Sequence, residues 1–481
     1  MSYTVAQNTS FLTIASVLQK VISFFYFIFV ARLVGVENTG VYFFAITFTT
    51  IFTVVADFGM GPVLTREAAR FPDRIPSYFN TVFWTKIFFG VSAYLLVVFF
   101  ANILRYEEST KLLIYISGIT MFFDNLTTVF NSIFRARKNL IYESIIVIAA
   151  QFSTLVIGTF ALLNHWPLYW LILAYTIPSA INCLFMKEMV KRKLGLQIQL
   201  MWNSEVFKIF FAVALPFALA GIIGRLYSYS DSLLMSKLLT AKELGWWSVP
   251  YKITFAFQFI PVALSASVYP VFSSLFLSEK DKIGQLFEKS WRYLFAIVLP
   301  LAFGLIAIAD PVIRHVFGEQ YLPSIFPLRV LLLSLIFGFL AFITGALLNA
   351  TNKQKTQTML VFSALLINII LNLILLPIFK INGAAVAALV SNAMLCLLGF
   401  YFSRQQVDIN SSNIWHYLKQ VLWPAIVMAL VVYWLSFFIH YIVTILIGGA
   451  LYLVLLYATK VIDKEMIMVV LDKIKVRRKV V

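Results

Sequence analysis

The chain has 481 residues, of which 61% are hydrophobic and 12% are charged, and its formal net charge is +17. A water-soluble domain holds about 45–50% apolar and about 25% charged residues, so most of this apolar surface must face lipid. The positive charge does not indicate nucleic-acid binding, because the basic residues are scattered in short segments and are not collected on one soluble face.

Fourteen apolar stretches are long enough to cross a bilayer core, which takes about 20 residues. They cover residues 8–33, 38–58, 78–102, 111–134, 140–163, 166–187, 211–238, 244–272, 291–313, 325–349, 356–379, 382–403, 418–438 and 440–460. The longest hydrophilic pieces between and after them are 59–77, 188–206, 404–417 and the C-terminal tail. None is long enough to fold as a separate soluble domain. The sequence therefore predicts an all-α integral membrane protein with about 14 transmembrane helices.

The distribution of Lys and Arg between the segments predicts the orientation. With the N-terminus in the cytoplasm, 26 of the 38 basic residues fall on the cytoplasmic side, 8 on the opposite side and 4 inside spans. Cytoplasmic segments carry such an excess of Lys and Arg. We therefore expect a multi-pass protein of the cell (inner) membrane with both termini in the cytoplasm.

Two parts of the chain are similar to each other. Residues 33–40 line up with residues 238–245 at an offset of 205, and residues 136–139 fall opposite 350–353. The similarity predicts two six-helix bundles of parallel topology, related by a pseudo-twofold axis along the membrane normal, an arrangement suited to alternating access. The predicted divisions are an N-terminal bundle at 1–195, a second bundle at 196–405, and two additional helices with a basic cytoplasmic tail at 406–481.

Two basic residues lie midway along equivalent spans. Lys20 is in the first span and Arg225 follows it at the repeat offset in the seventh. A charge at the bilayer centre costs about 2.5–3.5 kcal/mol on insertion scales, so each needs a reason. Ser16 and Ser23 share the helix face of Lys20 on the first span. Ser228 and Ser232 share that of Arg225 on the seventh, where Gly221 stands at the position equivalent to Ser16. We interpret the two stripes as the lining of a water-filled cavity between the bundles.

Further charges lie within or at the ends of other spans. Lys252 in the eighth span is a third candidate cation, and Asp231 in the seventh is a candidate for ion coupling. The fourth span carries a polar stripe of Asp124, Thr128, Asn131 and Arg135, in which Asp124 is a second coupling candidate and Asn131 a cavity residue. The alternative is that these charges only neutralise one another across helix interfaces. Asp57 and Lys86 fit that alternative best, since both could reach an interface by snorkelling.

The sequence predicts no metal site and no cofactor. Cys183 and Cys396 both lie inside apolar segments, and the four histidines are far apart and match no metal-ligand spacing. No Gly-rich phosphate loop is present.

Three local patterns carry a family resemblance. They are Ala56-Asp57-Phe58-Gly59-Met60-Gly61 running into residues 64–70, the turn at residues 317–321, and Asn368 and Asn372 followed by Pro377 and residues 382–385. In order and spacing they resemble the polysaccharide exporters of the multidrug/oligosaccharidyl-lipid/polysaccharide superfamily, in particular the O-antigen (Wzx-type) flippases. The resemblance implies a MATE-like arrangement of the two bundles. It also implies a non-enzymatic exporter that moves an undecaprenyl-diphosphate-linked oligosaccharide from the cytoplasmic to the outer leaflet.

In that reading Lys20, Arg225 and Lys252 would bind the diphosphate, and the serine stripes would meet sugar hydroxyls. The expected partners are the polyprenyl-diphosphate-linked glycan, membrane lipid and other membrane proteins of glycan assembly, without nucleic acid. Two alternatives stay open: a multidrug or cation antiporter of the same superfamily, and a membrane-embedded glycosyltransferase or polymerase. An antiporter of cations is expected to carry acidic residues at the positions of Lys20 and Arg225. A glycosyltransferase or polymerase usually needs a large external loop.

Overall fold

The computed structural model describes residues 5–459, with side chains from residue 11 onward. The described chain is helical, without a strand. The helices are α1 (Val5–Val34), α2 (Val36–Asp57), α3 (Met60–Arg70), α4 (Ile75–Ile103), α5 (Glu108–Ala136), α6 (Ile141–Leu163), α7 (Tyr169–Leu194), α8 (Ser204–Leu238), α9 (Ala241–Ala256), α10 (Phe259–Ser278), α11 (Asp281–Ala307), α12 (Ala309–Val312), α13 (Ile325–Ala350), α14 (Gln354–Arg404), α15 (Ser411–Leu435) and α16 (Tyr441–Ala458). Short 3-10 or π turns lie at Pro72–Arg74, Ile313–Phe317 and Glu319–Ser324.

The predicted all-α membrane fold is confirmed. Thirteen helical stretches of the described chain are long and apolar enough to cross a membrane. One of them, α14, has 51 residues and contains two predicted spans, 356–379 and 382–403; its backbone leaves helical geometry at Lys380, between the two. All fourteen predicted spans are therefore accounted for. The basic tail predicted after the last span lies outside the described residues.

The hydrophilic piece at residues 59–77, after the second predicted span, contains a helix. Phe58 and Gly59 adopt left-handed conformations and end α2. Helix α3 then follows, with Leu64 buried on one face and Arg66 exposed on the other. This piece is too polar to be predicted as a span, but its amphipathic pattern suits a helix that packs on other helices.

The single helix predicted for the eighth span is two helices. Helix α9 ends at Ala256 and α10 begins at Phe259. Pro261 is the third residue of α10. It cannot donate a hydrogen bond to the carbonyl of Phe257, and its ring clashes with that carbonyl, so a continuous helix is disfavoured there.

The chain divides into two compact units, Met1–Ser248 and Val249–Val481. The core of the first unit is an apolar cluster contributed by α3 to α8, in which Leu64, Phe79, Phe130 and Ala214 are at most 1% exposed. This core fixes the positions of the helices that surround the polar site described below. The three-part division made from the repeat stays a prediction.

The repeat offset of 205 reappears as a contact inside the first unit. A methyl group on Gly40 of α2 would lie 1.9 Å from the carbonyl oxygen of Ala241, and one on Gly245 of α9 would lie 2.0 Å from that of Val36. Gly245 follows Gly40, and Ala241 follows Val36, by the same 205 positions. The contact is thus reciprocal, and glycine is required because each helix backbone passes directly over the other residue.

The segment that leads into α8 lies along α4. We call residues 195–203 the first strap. The backbone amide of Gln199 donates to the side-chain oxygen of Asn80 at 2.7 Å, and the Trp84 indole donates to the backbone carbonyl of Gln199 at 2.8 Å. Asn203 ends the strap and caps α8 by accepting from two backbone amides of its first turn. The strap therefore fixes the beginning of α8 against α4.

The other end of α8 is held by the turn between α4 and α5. The Tyr106 hydroxyl lies 2.8 Å from the Ser236 hydroxyl, and the Lys237 ammonium lies 3.5 Å from the centre of the Tyr106 ring. Lys237 also donates to the Leu104 carbonyl. Burial raises the pKa of Tyr106 to about 12, so its hydroxyl stays protonated at neutral pH. Helix α8 is consequently anchored at both ends to the α4–α5 hairpin.

An equivalent strap, residues 405–410, occurs in the second unit between α14 and α15. The Glu288 carboxylate on α11 accepts from the backbone amide of Asn410 and from the side-chain amide of Asn413, both at 2.8 Å. Asn410 caps α15 as Asn203 caps α8, and it follows Asn203 by 207 positions. The segment after each predicted six-helix repeat thus lies against the third long helix of its own repeat.

Candidate functional site

The first unit contains a cavity of about 620 Å³ between membrane-spanning helices. A volume of roughly 300–1,000 Å³ is typical of sites that enclose a small organic ligand. Helices α2, α5 and α8 supply most of the wall, and α3 with the turn before it closes one side. The lining residues are Thr53, Val54, Asp57, Gly59, Pro62, Met121, Asp124, Asn125, Thr128, Phe217, Gly221, Gly224, Arg225 and Ser228.

Two residues of opposite charge are exposed to this cavity. Arg225 lies on α8 and Asp124 on α5, and both side chains are exposed. Among the described residues neither makes an ion pair, with the other or with a third side chain. Asp124 accepts a hydrogen bond from the Ser179 hydroxyl on α7. Both charges are therefore available to a bound ligand.

A third charge at the cavity wall is already neutralised. The Lys86 ammonium on α4 is completely buried and lies 2.5 Å from the carboxylate of Asp57, which is 34% exposed and lines the cavity. Lys86 also donates to the Thr128 hydroxyl, and it lies 3.4 Å from the Asn125 carbonyl. Its three ammonium protons therefore have three acceptors, as a buried ammonium requires. The interpretation that Asp57 and Lys86 neutralise one another across a helix interface is confirmed, but Lys86 does not snorkel, because its whole side chain lies between the helices.

Three predicted site residues line the cavity. They are Arg225, Ser228 and Asp124. The Ser228 hydroxyl donates to the Gly224 carbonyl at 2.9 Å, one turn earlier on the same helix. Gly221, which the repeat places opposite Ser16, also lines the cavity. Sequence reasoning thus found one wall of the cavity on α8 and part of a second on α5.

The remaining predicted residues of the first unit lie elsewhere. Lys20 is exposed on α1, which packs chiefly against α6, and it does not line the cavity. Ser16 and Ser23 are half-buried on the same helix, and Ser23 hydrogen-bonds to Tyr175. Further along, Asp231 and Ser232 are buried near the end of α8, and Asn131 is half-buried on α5.

Lys252 lies in the second unit. It is half-buried on the part of α9 that follows Pro250. Its role in a cation site stays a prediction.

The residues of the polar stripe predicted along α5 have two different surroundings. Asp124 and Thr128 face the cavity, whereas the guanidinium of Arg135 donates to the buried carboxylate of Glu143 at 2.8 Å, and this ion pair joins α5 to α6. A four-three-four spacing places all these residues on one helix face but does not say which part of that face meets a neighbouring helix.

The sequence reasoning missed the part of the wall built by Asp57, Asn125 and Thr53. The available signal was a pair of opposite charges, Asp57 and Lys86, in consecutive spans, where an unpaired charge is costly. That signal predicts a pair, but it does not predict that the pair borders a cavity.

Comparison with known proteins decides the family. The sequence profile of the family described as "polysaccharide biosynthesis protein" matches residues 29–326, more than half of the chain. The chain belongs to this family. A second profile, "lipid II flippase MurJ", matches residues 252–452. The resemblance to polysaccharide exporters that the motifs predicted is confirmed.

Curated relatives of this polysaccharide biosynthesis family member are distant. The "probable low-salt glycan biosynthesis flippase" of Haloferax volcanii is 26% identical over 40% of this chain and 40% of its own length. The "capsular polysaccharide biosynthesis protein" of Staphylococcus aureus is 22% identical over 83% of this chain and 99% of its own length. The match to the first relative thus spans only about two fifths of that protein.

Solved structures share the fold of this family member. The lipid II flippase MurJ in an inward closed conformation has a TM-score of 0.76 at 17% identity, covering 93% of this chain and 98% of that one. An inward-facing multidrug resistance MATE family transporter has a TM-score of 0.69 at 16% identity, covering 82% of this chain and 95% of that one. These similarities establish a MurJ-like and MATE-like fold.

Proposed function

We propose that the protein is a flippase that moves an undecaprenyl-diphosphate-linked oligosaccharide, an O-antigen or other surface polysaccharide unit, from the cytoplasmic to the outer leaflet by alternating access. The observation that carries the proposal is the cavity among membrane-spanning helices with the Arg225 guanidinium exposed in its wall. An unpaired guanidinium at this depth is costly unless water or an anionic ligand meets it. Membership of the polysaccharide biosynthesis family supplies the class of substrate.

The orientation belongs to the same proposal. With the 26 basic residues of one side in the cytoplasm, both termini are cytoplasmic and the protein lies in the cell (inner) membrane. An inside-negative potential then favours outward movement of an anion by about 2.3 kcal/mol per charge per 100 mV. Export of a diphosphate-linked glycan therefore needs no nucleotide-binding site.

The proposed cation set is Arg225 with Lys20 and Lys252. Arg225 offers two parallel N–H donors to phosphate oxygens. Lys20 and Lys252 would meet the diphosphate in other states of the transport cycle, as it enters or leaves. The hydrophilic glycan would occupy the polar lining, while the polyprenyl tail stays in lipid. The partners would be this lipid-linked glycan, membrane lipid and other membrane proteins of glycan assembly.

The test is transport by purified protein in proteoliposomes that contain the lipid-linked oligosaccharide. We expect Arg225→Ala to lower the rate at which the glycan appears in the opposite leaflet by about tenfold or more, the effect of losing one charge-assisted contact. Lys20→Ala and Lys252→Ala should each lower it as well. Lys282→Ala is the matched control, because Lys282 is exposed and pairs only with Glu279 three residues earlier.

Unchanged export in the Arg225, Lys20 and Lys252 variants would refute the cation set. A change in the chemical structure of the glycan on an intact lipid carrier would point to a glycosyltransferase or polymerase.

One observation favours a second candidate, a multidrug or cation antiporter. The Asp124 carboxylate faces the same cavity and could bind an organic cation. Arg225 opposes that function, since a cation entering the cavity would meet a like charge. Export of an organic cation by the proteoliposomes, abolished by Asp124→Asn and unaffected by the lipid-linked glycan, would establish the antiporter.

A further inference from the structure

The charges around the cavity are unevenly compensated. Of the two carboxylates in its wall, Asp57 is paired with the buried ammonium of Lys86, whereas Asp124 has only the hydroxyl of Ser179. Arg225 is the one guanidinium in the lining. The cavity therefore presents one uncompensated positive charge on α8 and one uncompensated negative charge on α5.

Ion pairing between helices does not explain this arrangement. Charges kept in a membrane protein only for packing are expected to pair, as Lys86 does with Asp57 and Arg135 does with Glu143. Arg225 and Asp124 line one cavity without pairing with each other. A ligand that is anionic at one end and donates hydrogen bonds at the other would satisfy both.

We propose that Asp124 contacts the first sugar of the substrate and fixes the orientation of the sugar diphosphate in the cavity. The inference rests on the proposed function, which places the diphosphate at Arg225. The Asp124 carboxylate can only accept hydrogen bonds, so it suits the hydroxyl or amide donors of a sugar. It also repels phosphate, so the diphosphate binds at α8 and the sugar at α5.

The surrounding residues support this division of the cavity. Thr128 lies one helical turn after Asp124 on the same face of α5 and also lines the cavity. Its hydroxyl accepts from Lys86, so it is held in one orientation. Ser179 positions the Asp124 carboxylate from α7. The α5 wall therefore presents oxygen atoms that are positioned by hydrogen bonds, as selective recognition of hydroxyl groups requires.

The proposal defines a class of substrate. The first sugar is neutral or carries an amino group, and a uronic acid at that position is rejected because its carboxylate would face Asp124. Charge repulsion of this kind is a common source of specificity.

The test uses three short-chain polyprenyl diphosphates in proteoliposomes: one bearing an N-acetylhexosamine, one bearing a hexuronic acid and one without a sugar. We expect the full-length wild-type protein to move the first in preference to the second. Asp124→Asn should raise the KM for the N-acetylhexosamine lipid about tenfold, leave the sugar-free lipid unchanged and reduce discrimination against the uronic acid. Arg225→Gln should raise the KM for all three.

Several outcomes would overturn the inference. One is an equal effect of Asp124→Asn on the lipids with and without sugar. Another is an unchanged KM combined with a shifted dependence of the rate on pH or sodium, which would make Asp124 an ion-coupling residue. Asp124→Glu retains the charge and serves as the folding control; its failure to keep the discrimination against the uronic acid would also count against the proposal. If the wild type moves none of the three lipids, the proposed function itself fails, which is a separate result.

Discussion

Lys86 is a charged residue whose side chain is completely buried in this membrane protein. Its ammonium has acceptors from Asp57, Thr128 and the Asn125 carbonyl, and all three of these residues line the cavity. Lys86 thereby supports the wall of the site without being exposed in it. The partners are unequal, because Lys86 is completely buried and Asp57 is 34% exposed.

This inequality predicts different effects of removing each partner. Asp57→Asn leaves a buried ammonium without its counter-ion, and removing one member of a buried pair costs about 3–5 kcal/mol. Lys86→Met leaves a carboxylate that faces the cavity and retains access to water, so we expect a smaller loss. The measurement is thermal unfolding of each purified variant in detergent.

The double variant Asp57→Asn with Lys86→Met is the control for this pair. We expect it to be more stable than Asp57→Asn alone, since no buried charge remains. Equal unfolding temperatures for the two single variants would contradict the asymmetry.

At the scale of helices, the reciprocal contact between α2 and α9 is the clearest trace of the internal repeat. Gly40 and Gly245 occupy equivalent positions in the two repeats, and each lies against the backbone of the other helix. The contact explains why both matched segments, residues 33–40 and 238–245, have glycine at their last position: a side chain at either position would force the helices apart.

Gly40→Ala and Gly245→Ala are therefore expected to destabilise the first unit. Overpacking against a backbone costs typically about 1–3 kcal/mol, and the two substitutions affect one contact, so their effects should not add. Unfolding of the single and double variants in detergent measures this. Gly449→Ala on α16 is the matched control, because nothing lies within 4 Å of the added methyl group.

If Gly40→Ala unfolds at the same temperature as Gly449→Ala, the close approach of α2 and α9 is not required for stability.

At the scale of the whole chain, the repeat extends to the straps. The first strap lies on α4 and ends at the cap residue Asn203; the segment before α15 lies on α11 and ends at Asn410. Helix α15 is thus held on α11 as α8 is held on α4. The proposed topology, with both termini in the cytoplasm, is also a property of the whole chain.

Two turns test that topology. Arg105 lies between α4 and α5, and Lys138 lies between α5 and α6, so a single span separates them. In a chain whose buried Cys183 and Cys396 are replaced by Ala, we expect Arg105→Cys to react with a membrane-impermeant maleimide added to intact cells. Lys138→Cys should react only after the membrane is opened. The reverse pattern would place both termini outside the cytoplasm.

The sequence by itself determined the class of fold, the fourteen spans and the family. These properties depend on how apolar and basic residues are distributed along the chain, and the bilayer imposes that distribution on every span. Arg225 and Asp124 were recognised for the same reason, since a charge within a span is expensive wherever it points. The motif at residues 56–61 was recognised as well, but not that Asp57 borders a cavity.

Only the tertiary structure decided which polar residues share a site. Lys20 and Arg225 are equivalent in the repeat, yet within the first unit only Arg225 lines the cavity, because α1 packs on α6 whereas α8 lies beside α2. Lys86 and Arg135 proved to be paired, and the break at Phe257 and the straps were not foreseen. The physical reason is that a helical period fixes the face on which a residue lies, whereas the neighbour of that face is fixed by packing between segments that are distant in the chain.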